Sequence, residues 1–325
     1  MTRAIRIHQP GGPEALRWED VEVGDPGDGQ VRLAHTAVGL NYIDVYHRSG
    51  LYPLPELPVA IGLEAAGTVE AVGPGVGELA PGDRVAYASP PIGAYAEARL
   101  MPADRLVKLP DGISDTQAAG MMLQGMTVHY LTRRTYRVAP GETVLFHAAA
   151  GGVGLIACQW LKHLGATVIG TVGSEEKAAL ARAHGCDHTI LYNSESVPER
   201  VRELTAGAGV PVVYDSVGKD TFEGSLDSLA PLGMLVSFGN ASGPVPPFEP
   251  GILSAKGSLF FTRPTLMTYT AKREDLAAAA EELFDVVGSG AVKIEVNQTY
   301  PLAEAAQAHR DLEARKTTGS TVLLP

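Results

Sequence analysis

Over the first third of the chain, short runs of alternating or wholly apolar residues are cut off by glycine and proline. Val31-Arg32-Leu33-Ala34-His35, Thr68-Val69-Glu70-Ala71-Val72 and Arg84-Val85-Ala86-Tyr87 are such runs, and their spacing sends alternate side chains to one face of a strand. Gly11-Gly12-Pro13, Gly73-Pro74-Gly75 and Pro81-Gly82-Asp83 separate them. Residues 1 to about 122 therefore read as a barrel of short strands. From about 123 to 264 the rhythm changes. Apolar strands are expected at 144–146, 168–170, 190–192, 212–214, 235–238 and 258–261, with helix-length segments such as 155–164 and 175–184 between most of them. Strands without a polar face predict a parallel sheet covered on both sides. Six of them in this alternation predict an α/β dinucleotide-binding (Rossmann) fold. The stretch 239–257, rich in Gly and Pro, breaks the alternation and reads as a functional loop beside the sheet.

The tail, 265–325, has another character. Leu276, Ala280, Leu283, Phe284 and Val287 give 273–287 a helical stripe. Pro301 is expected to open a second helix ending near Arg315. The strand Thr321-Val322-Leu323-Leu324 has no evident partner in the tail. Its expected place is back in the N-terminal barrel, which makes that domain discontinuous around the Rossmann domain.

With 325 residues the chain can build two cores, and 45% hydrophobic with 19% charged residues describes an ordinary globular protein. Acidic residues outnumber basic ones, 37 to 26, for a net charge of −11. That field opposes phosphate backbones and anionic membranes, so nucleic acid and membrane partners are not expected. Cys158 and Cys186 show neither metal-ligand spacing nor a disulfide framework. Met1-Thr2-Arg3-Ala4-Ile5-Arg6 lacks the apolar centre of a signal peptide, and no run approaches the roughly 18 apolar residues of a membrane helix. A cytoplasmic protein is expected.

The strongest local motif is His147-Ala148-Ala149-Ala150-Gly151-Gly152-Val153-Gly154, between a predicted strand and a predicted helix. A pyrophosphate needs a tight turn, close backbone approach and free amides at a helix N-terminus, and Gly151, Gly152 and Gly154 supply them. Ala149 replaces the first glycine of the usual pattern. At the end of the second strand an NAD site places Asp or Glu against the ribose hydroxyls. Here the positions are Val172 and Gly173, followed by Ser174, and Glu175 and Glu176 fall inside the next helix. Lys177 stands in that helix's first turn, where the dipole disfavours a cation unless a phosphate is held there. The alternative for Lys177 is a solvated surface lysine. The missing acid favours NADPH.

Several motifs together resemble the medium-chain dehydrogenase/reductase superfamily, and within it the NADPH:quinone oxidoreductase (zeta-crystallin-like) branch. The barrel signature is Gly62-Leu63-Glu64-Ala65-Ala66-Gly67-Thr68-Val69-Glu70-Ala71-Val72-Gly73, followed by Pro81-Gly82-Asp83-Arg84-Val85. Asn41-Tyr42-Ile43-Asp44-Val45-Tyr46, the stretch 147–160, Val213-Tyr214-Asp215-Ser216-Val217-Gly218, Val236-Ser237-Phe238-Gly239-Asn240 and Thr262-Arg263-Pro264 carry the branch resemblance. It implies a GroES-like barrel joined to a Rossmann domain, an active cleft between them, and a homodimer formed through the Rossmann sheets. It also implies cofactor contacts from Asn41, Tyr42, Tyr46, Tyr130, Gly152, Val153, Gly173, Ser174, Lys177, Tyr192, Ser216, Phe238, Gly239, Asn240, Arg263 and Arg315. Lys177, Tyr192 and Arg315 would surround the 2′-phosphate. Strand-end packing for Tyr192 and dipole complementation for Arg315 are the alternatives. Where zinc-dependent relatives have a Cys and a Gly-His-Glu ligand set, this chain has Asn41 and Gly62-Leu63-Glu64, so no metal is expected.

Hydride transfer from a reduced nicotinamide to a conjugated electrophile remains, because it needs alignment more than acid–base help. Asn41, Asp44, Tyr46 and Tyr52 are the candidates for lining and orienting a small quinone. Packing is the alternative for the tyrosines, and anchoring of their loop is the alternative for Asp44. An alkenal or enone reductase is the competing enzyme reading, and a nucleotide- or RNA-binding protein the non-enzymatic one.

Overall fold

The computed structural model describes residues 2–54 and 56–325. Eight strands come first: β1 (Thr2–Ile7), β2 (Arg17–Val21), β3 (Gln30–Leu40), β4 (Val59–Ala60), β5 (Glu64–Val72), β6 (Arg84–Ala88), β7 (Ala98–Pro102) and β8 (Val107–Lys108). The helix α1 (Tyr42–Ser49) follows β3, and α2 (Asp115–Ala119) and α3 (Met122–Tyr130) follow β8. Strands β9 (Thr143–Phe146), β10 (Thr167–Val172), β11 (His188–Leu191), β12 (Val210–Asp215), β13 (Leu229–Ser237) and β14 (Phe260–Thr262) come next. They alternate with α4 (Gly152–His163), α5 (Glu175–Ala183), α6 (Val197–Leu204), α7 (Phe222–Ser228) and α8 (Gly251–Ala255). After α9 (Leu266–Tyr269) and α10 (Arg273–Gly288), the chain closes with β15 (Val296–Pro301), α11 (Ala305–Glu313) and β16 (Ser320–Leu324). No helix among the described residues is long and apolar enough to cross a membrane.

Two compact units result. The first comprises Met1–Met126, Thr270–Gly288 and Ile294–Pro325, and the second Thr127–Tyr269 and Ser289–Lys293. The division falls within α3, a few residues beyond the expected 122. The short segment 289–293 joins the second unit, where the Lys293 N–H and carbonyl bond the Gln159 side chain at 2.8 and 2.9 Å.

In the first unit, seven strands form one sheet in the order β15-β16-β3-β5-β6-β8, with β7 also on β3, and β2-β1-β4 form a second. Alternation along β3 buries Val31, Leu33 and His35 and turns the intervening residues outward. Its inner face meets Ile5, Ile61, Val85, Tyr95, Met101 and Leu323 in one core. The second unit is a six-stranded parallel sheet, β11-β10-β9-β12-β13-β14. That order reverses between β9 and β12, the point at which such sheets bind ligands at their carboxyl ends.

Several expectations need correction. The final strand does enter the barrel, pairing antiparallel with β3, but it also has a tail partner, β15, in parallel. The sequence of β15 conceals it: a half-buried edge strand with Asn, Gln and Thr has no apolar stripe. Pro301 ends that strand instead of opening a helix, and α11 begins at Ala305. Strand β14 starts at Phe260, because Ser258 takes a left-handed φ of 58° and the Leu259 N–H turns back to the Leu253 carbonyl. The segment read as a loop after Asn41 is helix α1. Its tyrosines, isoleucine and valine are poor helix formers, and tertiary contacts override them.

Candidate active site

In the first unit the candidate residues gather on α1. The Asp44 carboxylate accepts the Asn41 N–H at 2.9 Å, closing the helix start, and Gly50 ends the helix in a left-handed conformation. Tyr46 stacks at a tilt against Tyr42 and Tyr52, with centroids 6.1 and 5.1 Å apart. Tyr46 is buried and Tyr52 half-exposed.

Asp44 is fully buried, and its charge is answered at a distance. Arg48, clamped by Glu313 through two 2.8 Å bonds, lies 3.1 Å from His309 Nδ1. Arginine can only donate, so His309 Nδ1 accepts and Nε2–H points at the Tyr95 oxygen, 3.0 Å away. The Tyr95 hydroxyl then donates to Asp44 Oδ2 at 3.0 Å. Burial, with Arg48 beside it, lowers the His309 pKa to about 3, which keeps the ring neutral in this role. Burial raises the Asp44 pKa to about 7 despite its bonds from Asn41 and Tyr95. Asp44 Oδ1 is buried without a partner.

Beside it, the Asn41 side chain donates to Glu64 Oε2 at 2.6 Å and accepts from Gln124 at 3.2 Å. Glu64 Oε1 takes the Leu123 N–H at 2.7 Å. Burial lifts the Glu64 pKa to about 8, against those hydrogen bonds and with help from the nearby Asp44. Arg315 follows α11 in the same unit, at a left-handed φ of 58°.

In the second unit, β9 runs into the glycine turn and α4 starts at Gly152. The first intrahelical bond is Leu155 N–H to the Gly151 carbonyl, so the N–H groups of Gly152, Val153 and Gly154 precede the helical ladder. Gly154 cannot carry a side chain: a Cβ there would lie 2.3 Å from the Ala148 carbonyl oxygen and 2.7 Å from Ala149. The helix can therefore seat directly on the turn, leaving a cradle of amides at a positive dipole end.

A directional network holds this turn. The Ala148 N–H reaches Thr171 Oγ1 (3.3 Å), whose hydroxyl faces His147 Nδ1 (3.0 Å); His147 Nε2 faces Ser225 Oγ (3.0 Å), which donates to Asp215 (2.7 Å). Burial lowers the His147 pKa, which suits the neutral ring this pattern requires. The second Asp215 oxygen accepts the N–H groups of Val217 and Gly218 at 2.8 and 3.0 Å. The ends of β9, β10 and β12 are thus tied together.

At the end of β10, Gly173, Ser174, Lys177 and Tyr192 converge. Ser174 caps α5 by accepting the Lys177 N–H at 3.3 Å. A Cβ on Gly173 would lie 2.6 Å from the Tyr192 hydroxyl, so the absence of a side chain there admits the phenol. Tyr192, just beyond β11, remains 41% exposed. Across the sheet, Gly239 packs on Ser216, and Phe238 donates its N–H to the Asp215 carbonyl at 2.7 Å. Asn240 lies in the same loop, within 3.4 Å of the position of a Cβ on Gly218. Arg263 bonds the Ser237 carbonyl at 3.1 Å, bracing the end of β13. Tyr130 is buried and stacked on Tyr269, centroids 4.5 Å apart.

The comparisons accord with this architecture. Residues 27–111 match the family described as "Alcohol dehydrogenase GroES-like domain", and residues 152–285 match "Zinc-binding dehydrogenase". A quinone oxidoreductase of Pseudomonas aeruginosa is 58% identical, with all of both chains covered. The chain belongs to the quinone oxidoreductase branch of the medium-chain dehydrogenase/reductase superfamily. A 2-haloacrylate reductase of a Burkholderia species is 50% identical over 100% of this chain and 99% of its own. Among solved structures, the quinone oxidoreductase of Escherichia coli complexed with NADPH superimposes with a TM-score of 0.98 at 50% identity, covering both chains fully.

Within this branch member, the GroES-like and Rossmann parts match the sequence expectation. Glu64, Gln124 and Ser320, Tyr95 and His309, and His147 with Thr171, Asp215 and Ser225 are neighbours of the candidate residues to which sequence reasoning gave no role. The readable signals were His147, placed directly before the glycine turn, and Glu64, at a ligand position of zinc-dependent relatives. The others are contributed by distant segments.

Proposed function

We propose that this protein is an NADPH-dependent quinone oxidoreductase that reduces small quinones without a metal. The carrying observation is the second unit's carboxyl edge, where a glycine-seated helix N-terminus adjoins Gly173, Ser174, Lys177 and Tyr192, with no acid at the end of β10 itself; Glu176, in the first turn of α5, takes the Ser174 hydroxyl at 3.3 Å. The cradle fits a pyrophosphate, since the missing Cβ of Gly154 lets α4 seat on the turn with the N–H groups of Gly152, Val153 and Gly154 ahead of its hydrogen-bond ladder. Gly151, Gly152, Val153 and Gly154 would hold the pyrophosphate, and Ser174, Lys177 and Tyr192, with Arg315, the 2′-phosphate. Ser216, Phe238, Gly239 and Asn240 would flank the remaining dinucleotide. Arg263 and Tyr130 would support that pocket through β13 and Tyr269. Bound NADPH supplies a hydride from its reduced nicotinamide. Asn41 and Tyr42 would orient the nicotinamide end, and the Tyr46 and Tyr52 rings would form a flat wall for the acceptor. Asp44 would hold a proton close to that wall.

Names of relatives support the acceptor class, quinone oxidoreductase at 58% and 50% identity. The reductase of 2-haloacrylate at 50% identity favours a second reading, hydride addition to an activated alkene. The edge strand β14 and the exposed Leu232 (68%) and Phe260 (56%) support a homodimer through the Rossmann sheet. A reducing cytoplasm suits Cys158 and Cys186, both buried free thiols.

Tyr52→Ala tests the acceptor wall. The quinone KM should rise or kcat fall about tenfold while the NADPH dissociation constant changes less than about twofold. A loss confined to NADPH binding would place Tyr52 in the cofactor site instead.

A further inference from the structure

Four buried side chains of the first unit, Ser320, Gln124, Asn41 and Glu64, form one chain of hydrogen bonds. As oriented, the Ser320 hydroxyl donates to Gln124 Oε1 (2.8 Å), Gln124 Nε2 to Asn41 Oδ1 (3.2 Å) and Asn41 Nδ2 to Glu64 Oε2 (2.6 Å). Each carboxamide can turn over and exchange its donor for its acceptor. With both turned, every link reverses: Glu64 O–H donates to Asn41 Oδ1, Asn41 Nδ2 to Gln124 Oε1, and Gln124 Nε2 to Ser320 Oγ. The Ser320 hydroxyl then donates to the Gly120 carbonyl, already 2.6 Å away. Every side-chain atom of the chain keeps a partner in either polarity, and Glu64 Oε1 keeps the Leu123 N–H in both. An ionised Glu64 can only accept and enforces the first polarity. A proton on Glu64 permits the second.

We propose that Glu64 is a positioning residue whose proton sets the orientation of the Asn41 carboxamide. Each polarity uses one N–H and one carbonyl lone pair of Asn41 and leaves one of each, so turning the carboxamide over exchanges their places and decides which of them faces a ligand. This rests on the reading that Asn41 lines the nicotinamide end of the site. The groups facing Glu64 are Asp44 of α1, Tyr87 of β6 and Tyr95, together with the N–H groups at the start of α3. Arg99 stands behind Tyr87, and Arg48 behind His309 and Tyr95. The exchange belongs near pH 8, where Glu64 titrates.

The chain has four asparagines, Asn41, Asn193, Asn240 and Asn297, so [15N]asparagine labelling yields four side-chain amide signal pairs. In the wild-type protein the Asn41 pair should shift with a single titration near pH 8. In Glu64→Gln, which donates to Asn41 and accepts from Leu123 as the protonated acid does, it should stay at its low-pH position. The kcat/KM for a quinone should change by up to about tenfold per pH unit across the same inflection, and the variant should lack that inflection. A pH-independent Asn41 signal in folded wild-type protein overturns the proposal, even if the variant fails to fold. A titrating signal with a flat wild-type kcat/KM overturns the link to the reaction. No quinone turnover at any pH, with the signal titrating, counts against the proposed function and leaves the Glu64 proton's hold on Asn41 standing.

Discussion

Lys177 occupies the third position of α5, a place where a cation opposes the helix dipole. Its presence makes physical sense if a phosphate reverses that penalty. A charge-assisted hydrogen bond of roughly 1.5–3 kcal/mol corresponds to about 10- to 150-fold in affinity. Lys177→Ala should therefore weaken NADPH binding by that factor and change NADH binding little, as read by fluorescence titration. Equal losses would assign Lys177 to folding. The buried acids give a second residue-scale prediction. Glu64 and Asp44 hold protons in the folded state up to about pH 8 and about pH 7, whereas unfolded carboxyls lose them near 4.5 and 3.8. The native protein thus binds more protons than the unfolded chain between those limits, so stability falls as pH rises through the window. Glu64→Gln should remove its share of that slope, on the order of 2–5 kcal/mol by the upper end. Urea unfolding across pH measures it, and an unchanged slope would refute the assignment. Lys177 could be read from the sequence, but the buried chain around Glu64 could not. The links Asn41–Glu64, Asn41–Gln124 and Gln124–Ser320 span 23, 83 and 196 residues, and no local pattern announces such a meeting.

Elements were legible in proportion to how local their causes are. The β9–turn–α4 unit could be read directly because strand, glycines and helix are contiguous. Helix α1 could not, since its Tyr, Ile and Val side chains favour a strand and its start depends on Asp44 being held by Tyr95. Strand β15 escaped because an edge strand needs no apolar face. The close seating of α4 on the turn predicts that Gly154→Ala will be costly. Its methyl would meet backbone atoms of Ala148 and Ala149, which cannot swing aside. A loss of about 1–3 kcal/mol of stability is expected, with NADPH affinity reduced at least about tenfold as the helix lifts from the turn. Thermal unfolding and cofactor titration check both. Unchanged NADPH affinity would show that the cradle is not the pyrophosphate site.

For the whole molecule, the proposed homodimer follows from an edge strand carrying exposed Phe260, an arrangement that invites a second copy of the same edge. Phe260→Lys should shift the protein from dimer to monomer in sedimentation, and a wild-type monomer would end that reading. The central claim is the reaction itself, and steady-state kcat/KM of chelator-treated protein across a panel of quinones, enones, 2-haloacrylates and primary alcohols tests it most directly. Small flat quinones with NADPH should give the highest values, NADPH should exceed NADH by about 10- to 150-fold, and alcohols should not be oxidised with NADP⁺. An activated alkene turned over about a hundredfold better than every quinone, a gap of roughly 2.7 kcal/mol in transition-state binding, would contradict the quinone assignment. Activity lost to the chelator and restored by zinc alone would contradict the metal-free chemistry.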